Sequence, residues 1–130
     1  MEAPLESKAK KGVILLVDDE ETILEVCTQM LQRLGYHVRQ AIDGQQAIDI
    51  FEKEKDVIDI VLLDMRMPGM NGATVYNRLI QIQPNVKVIL FSGFFENQHI
   101  QKILQNENVD LIQKPVRLKQ MSQKLENMLG

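Results

Sequence analysis

Short apolar segments alternate along the chain with stretches in which apolar residues recur every three or four positions. The first, Val13–Val17, is continuously apolar, which makes it too short for a helix and too apolar for a strand with one wet face. It is therefore predicted as a central strand buried on both sides. The complete set of predicted strands is Val13–Val17, His37–Ala41, and residues 58–63, 86–91 and 109–112.

Each strand is followed by a helical pattern. The first runs from Ile23 to Leu34 and stops at Gly35, a residue common just beyond a helix end. The four later helices are predicted around Ala47, Ile48, Ile50 and Phe51; Val75, Leu79, Ile80 and Ile82; Ile100, Ile103 and Leu104; and Leu118, Met121, Leu125 and Met128. Strands that alternate with helices indicate an α/β fold, a doubly wound five-stranded parallel sheet with five helices covering both faces.

Composition narrows the class of protein. The 130 residues suffice for one domain, predicted at residues 12–130 after a flexible tail, residues 1–11, that has no apolar period. A net charge of −3 gives no excess of cations for nucleic acid or an anionic membrane. No apolar run approaches the roughly 20 residues of a membrane helix. The single Cys27 cannot form an internal disulfide, so a cytoplasmic location is predicted.

Polar side chains follow four of the predicted strands. Asp18 and Asp19 follow the first strand, Asp64 the third, Ser92 the fourth and Lys114 the fifth. In a doubly wound sheet these strand ends share one edge, where ligands bind. Three converging carboxylates repel one another unless a cation lies among them, and Mg²⁺ suits such an oxygen site. With Lys114 and Ser92 available to phosphoryl oxygens, the pattern predicts phosphoryl transfer.

Asp64 is the predicted nucleophile. It stands alone at the end of a buried strand and opens a loop that contains Pro68, Gly69 and Gly72. A carboxylate can accept a phosphoryl group as an acyl phosphate while a metal ion and a lysine spread the charge on the phosphoryl oxygens. The expected product is a phosphorylated aspartate on the protein itself.

Four motifs in order carry a family resemblance. They are Val17-Asp18-Asp19-Glu20, Leu63-Asp64-Met65-Arg66-Met67-Pro68-Gly69-Met70-Asn71-Gly72, Ser92-Gly93 and Lys114-Pro115. Together they resemble a response-regulator receiver domain over residues 12–130. The resemblance implies the flavodoxin-like receiver fold with strand order 2-1-3-4-5, and a role as the phosphoacceptor of a two-component phosphorelay.

The resemblance also implies a role for each site residue. Asp64 would be the phosphoacceptor and a metal ligand, Asp19 a direct Mg²⁺ ligand, Asp18 a ligand mainly through water, and the backbone carbonyl of Arg66 a further ligand. Mn²⁺ is an alternative metal. Ser92 and Lys114 would bind the phosphoryl oxygens, and the Lys114-Pro115 bond would be cis, an isomer that is tolerable only before proline.

Three features depart from the common receiver pattern. Leu111 stands where the family usually carries an aromatic switch residue. Gly93 is small enough to leave the acceptor open, and with Met65 it flanks the acceptor. The next residues, Phe94 and Phe95, are two aromatics predicted to screen the site from water or to dock a partner. Finally, the sequence ends with the fifth helix, so output is expected through binding or through a longer parent chain.

The implied partners are a sensor histidine kinase or a phosphotransfer domain as donor, and a downstream protein at the face of helix 4, strand 5 and helix 5. A homodimer is a further option. The domain is not predicted to be an enzyme beyond its own phosphotransfer and dephosphorylation. Residues 91–96 and 111–115 are also similar to receivers of hybrid sensor kinases, so a freestanding regulator and a hybrid-kinase receiver both stay open, and the parent chain is a kinase in the second case.

Some of these residues also fit other functions or purely structural roles. An aspartate-nucleophile phosphohydrolase needs an acid two residues after the nucleophile, where this chain has Arg66. A receiver-like scaffold that never receives phosphate would not need the complete set of Asp19, Asp64, Ser92 and Lys114 that this chain contains. The Gly69-x-x-Gly72 spacing is found in KH modules, but its flanks are not basic. Residues 18–21 alone would also suit a solvated helix start. Packing roles are preferred for Cys27, Met65, Met67 and Met70, and His37 and His99 are interpreted as structural or surface groups.

Overall fold

A computed structural model describes residues 11–93 and 98–130. Its strands are β1 (Val13–Val17), β2 (His37–Ala41), β3 (Ile60–Asp64), β4 (Val88–Ser92) and β5 (Val109–Gln113). Its helices are α1 (Glu21–Arg33), α2 (Gly44–Glu54), α3 (Gly72–Ile82), α4 (Gln98–Ile103) and α5 (Leu118–Leu129). The predicted alternation of strands and helices is confirmed.

All neighbouring strands are parallel, in the order β2-β1-β3-β4-β5. The three central strands are buried along their whole length, because helices cover both faces, and this explains their nearly continuous apolar sequences. β3, β4 and β5 each run one residue further than predicted, to Asp64, Ser92 and Gln113. Ser92 and Gln113 lie opposite each other in the register. The carboxyl ends of β1, β3, β4 and β5 therefore form one edge.

Two cores lie on opposite faces of the sheet, because successive side chains of a strand point to opposite faces. Ile14 and Leu16 of β1 pack with α1 and α5, whereas Val13, Leu15 and Val17 pack with α2, α3 and Ile100 of α4. The core role predicted for Cys27 is confirmed, since the residue is 3% exposed. Burial, followed by the charge of Asp18, raises the pKa of Cys27 to about 11, so it stays a thiol at neutral pH.

Two predicted strand starts are wrong by two residues. β3 begins only after Ile58 and Asp59, because the amide of Ile58 donates to the carbonyl of Glu54 in a turn at the end of α2. β4 begins after Val86, whose amide donates to the carbonyl of Gln83 in a turn at the end of α3. In both cases the apolar sequence begins two residues before the strand, but the backbone there is still part of the turn that follows a helix.

The start of the chain lies mainly beyond the described residues. Of the predicted tail, only Lys11 is described, and its amide donates to the carbonyl of Gly35 at 2.8 Å. Gly35 has a φ of 100°, the left-handed conformation expected of a glycine just past a helix end. Among the described helices, none has the length and apolar character needed to cross a bilayer.

Candidate functional site

Three aspartates converge at the carboxyl edge of the sheet. One carboxylate oxygen from each of Asp18, Asp19 and Asp64 lies within 4.8 Å of those of the other two. Asp18 is fully buried and Asp64 is 3% exposed, whereas Asp19 is exposed to solvent. The predicted cluster therefore has a buried floor made by two carboxylates and an open side at the third.

Three polar contacts fix the position of Asp18. Its amide donates to the carbonyl of Ala41, its Oδ1 accepts the amide of Glu20 at 2.9 Å, and its Oδ2 lies 3.2 Å from Nζ of Lys114. α1 begins only at Glu21, and its N-cap Glu20 makes no side-chain cap. Asp18 is thus a buried member of the site, and the solvated helix start applies to Glu20 and Glu21 alone.

Lys114 joins the two buried carboxylates. Its Nζ lies 3.2 Å from Oδ2 of Asp18 and 3.4 Å from Oδ1 of Asp64. Its amide donates to the carbonyl of Ser92, which fixes it beside β4, and its bond to Pro115 is cis, as the resemblance implied. Burial lowers the pKa of Lys114, but the charges of Asp64 and Asp18 raise it by more, so its pKa lies above the ordinary value. The ammonium stays charged at neutral pH.

The carboxyl group of Asp64 is strongly affected by its surroundings. Burial raises its pKa most, the hydrogen bond from the amide of Arg66 lowers it, Asp18 raises it and Lys114 lowers it, for a result of about 6. The Arg66 amide donates to Oδ1 at 3.2 Å. At neutral pH the group is therefore mainly a carboxylate, oriented by an amide and an ammonium, as a nucleophile requires.

The loop after β3 brings α3 against the acceptor. The amide of Gly72 donates to the carbonyl of Met65, and the Asn71 side chain caps α3 by accepting the amide of Thr74. A Cβ on Gly72 would lie 2.6 Å from Cα of Met65 and 2.7 Å from the carbonyl oxygen of Asp64. Sequence reasoning treated Gly72 only as a loop residue, because a single sequence carries no signal for a close approach of two backbone segments.

We expect Gly72→Ala to lower the free energy of unfolding by about 2 kcal/mol, because the methyl group meets backbone atoms that cannot rotate away. This is the reverse of the usual gain for alanine over glycine in a helix. The matched control is Gly93→Ala, whose Cβ would have no neighbour within 4 Å and should change stability by less than about 0.5 kcal/mol. Urea denaturation measures both, and equal stability of the two variants would contradict the packing seen at Gly72.

The structure describes several of the remaining predicted site residues. Ser92 is 3% exposed at the end of β4, whereas Gly93 is exposed. Leu111 is half-buried and packs against the core on the α4 side of the sheet. Met65 and Met67 are buried in the same core, with Met70 packed against it, which supports the packing role predicted for these methionines. Phe94 and Phe95 lie outside the described residues, as does the side chain of His99.

The donor set fits a small divalent cation. All three candidate ligand side chains are carboxylates, the oxygen ligands that Mg²⁺ prefers. Among the described residues the two buried carboxylates pair with one ammonium, that of Lys114, so the three carboxylates carry an excess of negative charge that a divalent ion would neutralise. The exposed Asp19 leaves a side of the cluster open to solvent, where a phosphoryl group can approach.

Comparison with known proteins gives the family. Residues 14–126 match the family model of the response regulator receiver domain. The chain belongs to this family. It is therefore a receiver domain of two-component signalling, and its parallel sheet in the order β2-β1-β3-β4-β5 is the fold predicted from the sequence.

The curated relatives of this receiver domain include proteins of very different lengths. Sensor kinase CckA of Brucella abortus is 31% identical over 138 residues, which cover 98% of this chain and 15% of the kinase. Sporulation initiation phosphotransferase F of Bacillus subtilis is 39% identical over 89 residues, which cover 68% of this chain and 70% of that protein. The chain thus spans a small part of the first relative and most of the second.

Solved structures give the same result for the fold. The receiver domain of hybrid histidine kinase CckA aligns with a TM-score of 0.78 and 28% identity, and the alignment covers 92% of this chain and 100% of that one. A structure of the CheX-CheY-BeF₃-Mg²⁺ complex from Borrelia burgdorferi aligns with a TM-score of 0.85 and 26% identity, covering 92% of this chain and 90% of that one.

Proposed function

We propose that this receiver domain accepts a phosphoryl group on Asp64 from a phosphohistidine of a sensor histidine kinase or a phosphotransfer domain. The observation that carries the proposal is the arrangement around Asp64. Its carboxylate faces Lys114 at 3.4 Å and shares a 4.8 Å cluster with Asp18 and Asp19. A nucleophile, a fixed cation and a candidate metal site thus occupy one edge of the sheet, which is what phosphoryl transfer to a side chain requires.

Mg²⁺, or Mn²⁺ in its place, would be held by Asp18, Asp19, Asp64 and the carbonyl of Arg66, and would supply positive charge to the carboxylates and the phosphoryl oxygens. The amide of Arg66 and the ammonium of Lys114 orient the Asp64 carboxylate. One of its oxygens forms the new bond to phosphorus as the bond from phosphorus to the donor imidazole breaks, and the electron pair of that bond stays on the imidazole nitrogen. Lys114 and Ser92 then bind the transferred oxygens.

The phosphoryl group would act by a shift between two populations. A state in which Ser92 and Lys114 both reach the phosphoryl oxygens is stabilised by those bonds, and the domain moves toward it. Ser92 ends β4 and Lys114 follows β5, so the change would pass to the face of α4, β5 and α5. We propose this face as the surface for a downstream protein or a second copy of the chain. Because Leu111 is not aromatic, the change would not include the swing of an aromatic side chain at this position.

The domain itself would turn over no separate substrate. Two parent architectures agree with the relatives, because receiver domains occur both within a long sensor kinase and as most of a short phosphotransferase. A hybrid kinase would make the parent chain an enzyme, and a freestanding regulator would not. The sequence carries no second cysteine to pair with Cys27, which supports a cytoplasmic location.

The decisive experiment is intact-mass spectrometry after incubation with acetyl phosphate and Mg²⁺. We expect a gain of one phosphoryl group, and no gain when EDTA replaces Mg²⁺, because the carboxylates then repel the phosphoryl oxygens without a neutralising ion. The donor is small, so no partner protein is needed.

Two other results would favour other functions. No mass gain at any Mg²⁺ or Mn²⁺ concentration would favour a scaffold that never receives phosphate. Sustained release of phosphate from p-nitrophenyl phosphate would favour a phosphohydrolase. The absence of an acid at position 66 argues against the second outcome.

A further inference from the structure

A partly buried hydrogen bond joins α3 to the segment between α4 and β5. Nδ2 of Asn106 donates to the hydroxyl oxygen of Tyr76 at 2.9 Å, across 30 residues of sequence. Tyr76 is 4% exposed and belongs to the core on the α4 side of the sheet, which also contains Ile100 and Val109. The bond therefore ties a rigid helix to the part of the chain that follows α4.

Asn106 also fixes how α4 connects to β5. Its own amide donates to the carbonyl of Ile103 at the end of α4, and its carbonyl accepts the amide of Val109 at the start of β5. Its Oδ1 accepts the amide of Asn108 at 2.9 Å. The backbone of Asn106 thus links the end of α4 to the start of β5, and its side chain links this segment to Tyr76 of α3.

α4 has room to move beside this bond. The helix is only 6 residues long, and Ile100 is its one fully buried side chain among the described residues. A cavity of about 290 Å³ separates it from α3 and is lined by Ala73, Tyr76, Asn77, Lys102, Ile103 and Asn106. The Asn106–Tyr76 bond is a polar contact beside this cavity, and a movement of α4 relative to α3 would have to rearrange it.

We propose that Tyr76 and Asn106 are positioning residues that hold α4 in the position described here, so that a movement of α4 on occupation of the acceptor site must break their hydrogen bond. The inference rests on the proposed function, in which a phosphoryl group on Asp64 binds Ser92. Ser92 leads into the connection to α4, and Asn106 lies at the other end of that helix. Leu111 packs in the same core but has no polar group, so it cannot make this connection.

Loss of the bond should favour the occupied state. A hydrogen bond of ordinary net strength changes an equilibrium constant by about two- to tenfold. Because a movement of α4 must break this bond, Tyr76→Phe should strengthen the binding of beryllofluoride, a phosphoryl mimic, by about that factor. Asn106 is half-buried, so water can replace the lost hydroxyl and the variant should fold.

The experiment compares the full chain with Tyr76→Phe and Tyr36→Phe. Calorimetric titration with beryllofluoride at saturating Mg²⁺ should give a dissociation constant about two- to tenfold lower for Tyr76→Phe. Amide exchange over residues 100–109 of the metal-free protein should be faster by a similar factor. Tyr36, the chain's other tyrosine, is also buried but in the opposite core, so its variant should change neither quantity.

A double-mutant cycle isolates the hydrogen bond. In an Asn106→Ala background, Tyr76→Phe should have no further effect on beryllofluoride binding. An equal effect in that background, or unchanged binding in Tyr76→Phe together with lower stability, would overturn the inference and leave a merely structural contact. Failure of the wild-type chain to bind beryllofluoride would instead overturn the proposed function, and the inference with it.

Discussion

Asp64→Asn is expected to gain no phosphoryl group from acetyl phosphate under conditions that label the wild-type chain fully. The amide is nearly the same size as the carboxylate and its oxygen can still accept the Arg66 amide, so the loss would be of the nucleophile and not of the site. Asp49→Asn is the matched control, because Asp49 is an exposed aspartate on α2 that bonds only locally to Gln45. Intact-mass spectrometry of both variants measures the effect, and a phosphoryl group retained by Asp64→Asn would exclude Asp64 as the acceptor.

The same substitution should stabilise the metal-free protein. Burial and Asp18 together raise the pKa of Asp64 from 3.8 to about 6, so the folded state binds this proton more tightly than the unfolded state. The stability that this proton provides is present at low pH and is lost as the pH rises from about 4 through 6. In EDTA at pH 7, Asp64→Asn should raise the free energy of unfolding by about 1 to 2 kcal/mol. This is less than the free energy that corresponds to the whole pKa shift, because the substitution also removes the Asp64 carboxylate that pairs with Lys114.

The difference between the two proteins should therefore depend on pH in one direction. It should be near zero at pH 4 and grow toward pH 7, since only the wild type loses the contribution of the proton. Urea denaturation in EDTA at several pH values measures it. A difference that is constant across this range would show that the Asp64 carboxyl has an ordinary pKa in the folded state.

Lys114→Met is expected to have the largest effect on stability. It would leave the buried carboxylates of Asp18 and Asp64 facing each other without the ammonium that now lies 3.2 and 3.4 Å away. Removal of one partner from a buried ion pair costs about 3 to 5 kcal/mol, and the partial exposure of Lys114, 22%, reduces this to roughly 2 to 3 kcal/mol in EDTA. Added Mg²⁺ should restore more stability to the variant than to the wild type, because the ion no longer competes with the ammonium.

Two further variants test this account of Lys114. Asp64→Asn combined with Lys114→Met should be more stable than Lys114→Met alone, since one of the two opposed carboxylates is gone. Lys119→Met, on the exposed side of α5, should change stability by less than about 0.5 kcal/mol. Equal losses for Lys114→Met and Lys119→Met would contradict a central role for the ammonium.

Lys114→Met should also bind beryllofluoride at least about tenfold more weakly, the loss expected for one hydrogen bond to a charged group. Calorimetric titration at saturating Mg²⁺ measures this, with Lys119→Met as the same control. Binding of wild-type strength would remove Lys114 from the proposed contacts to the phosphoryl group.

The sequence predicted those features that depend on repeating local patterns. Alternation of apolar runs with helical spacing determined the α/β class, and the parallel strands placed Asp18, Asp64, Ser92 and Lys114 at one edge without any knowledge of long-range contacts. The same logic placed Cys27 in the core. These features can be predicted because they depend on which face of a helix or strand is apolar, and that pattern recurs along the whole length of each element.

Other properties of the site required the coordinates. Asp18 and Asp19 are identical neighbours in the sequence, yet one is fully buried and the other exposed, and the ion pair between Asp18 and Lys114 spans 96 residues. The raised pKa of Asp64 depends on the depth of its carboxyl group and on the signs of the charges around it. A residue pattern states which side chains share an edge, but neither their separations nor their burial.

By itself, then, the sequence determined the order of the elements and the set of polar residues at one edge of the sheet, and it led to the proposal that Asp64 takes the phosphoryl group. Only the tertiary structure decided that Gly72 must lack a side chain, which strand starts are displaced by turns, and that Tyr76 meets Asn106 between α3 and the end of α4. The physical reason is the distance along the chain over which each kind of interaction acts. Periodicity and turn chemistry act over a few residues, whereas backbone approach, desolvation and pairing of distant polar groups arise only when separate elements pack together.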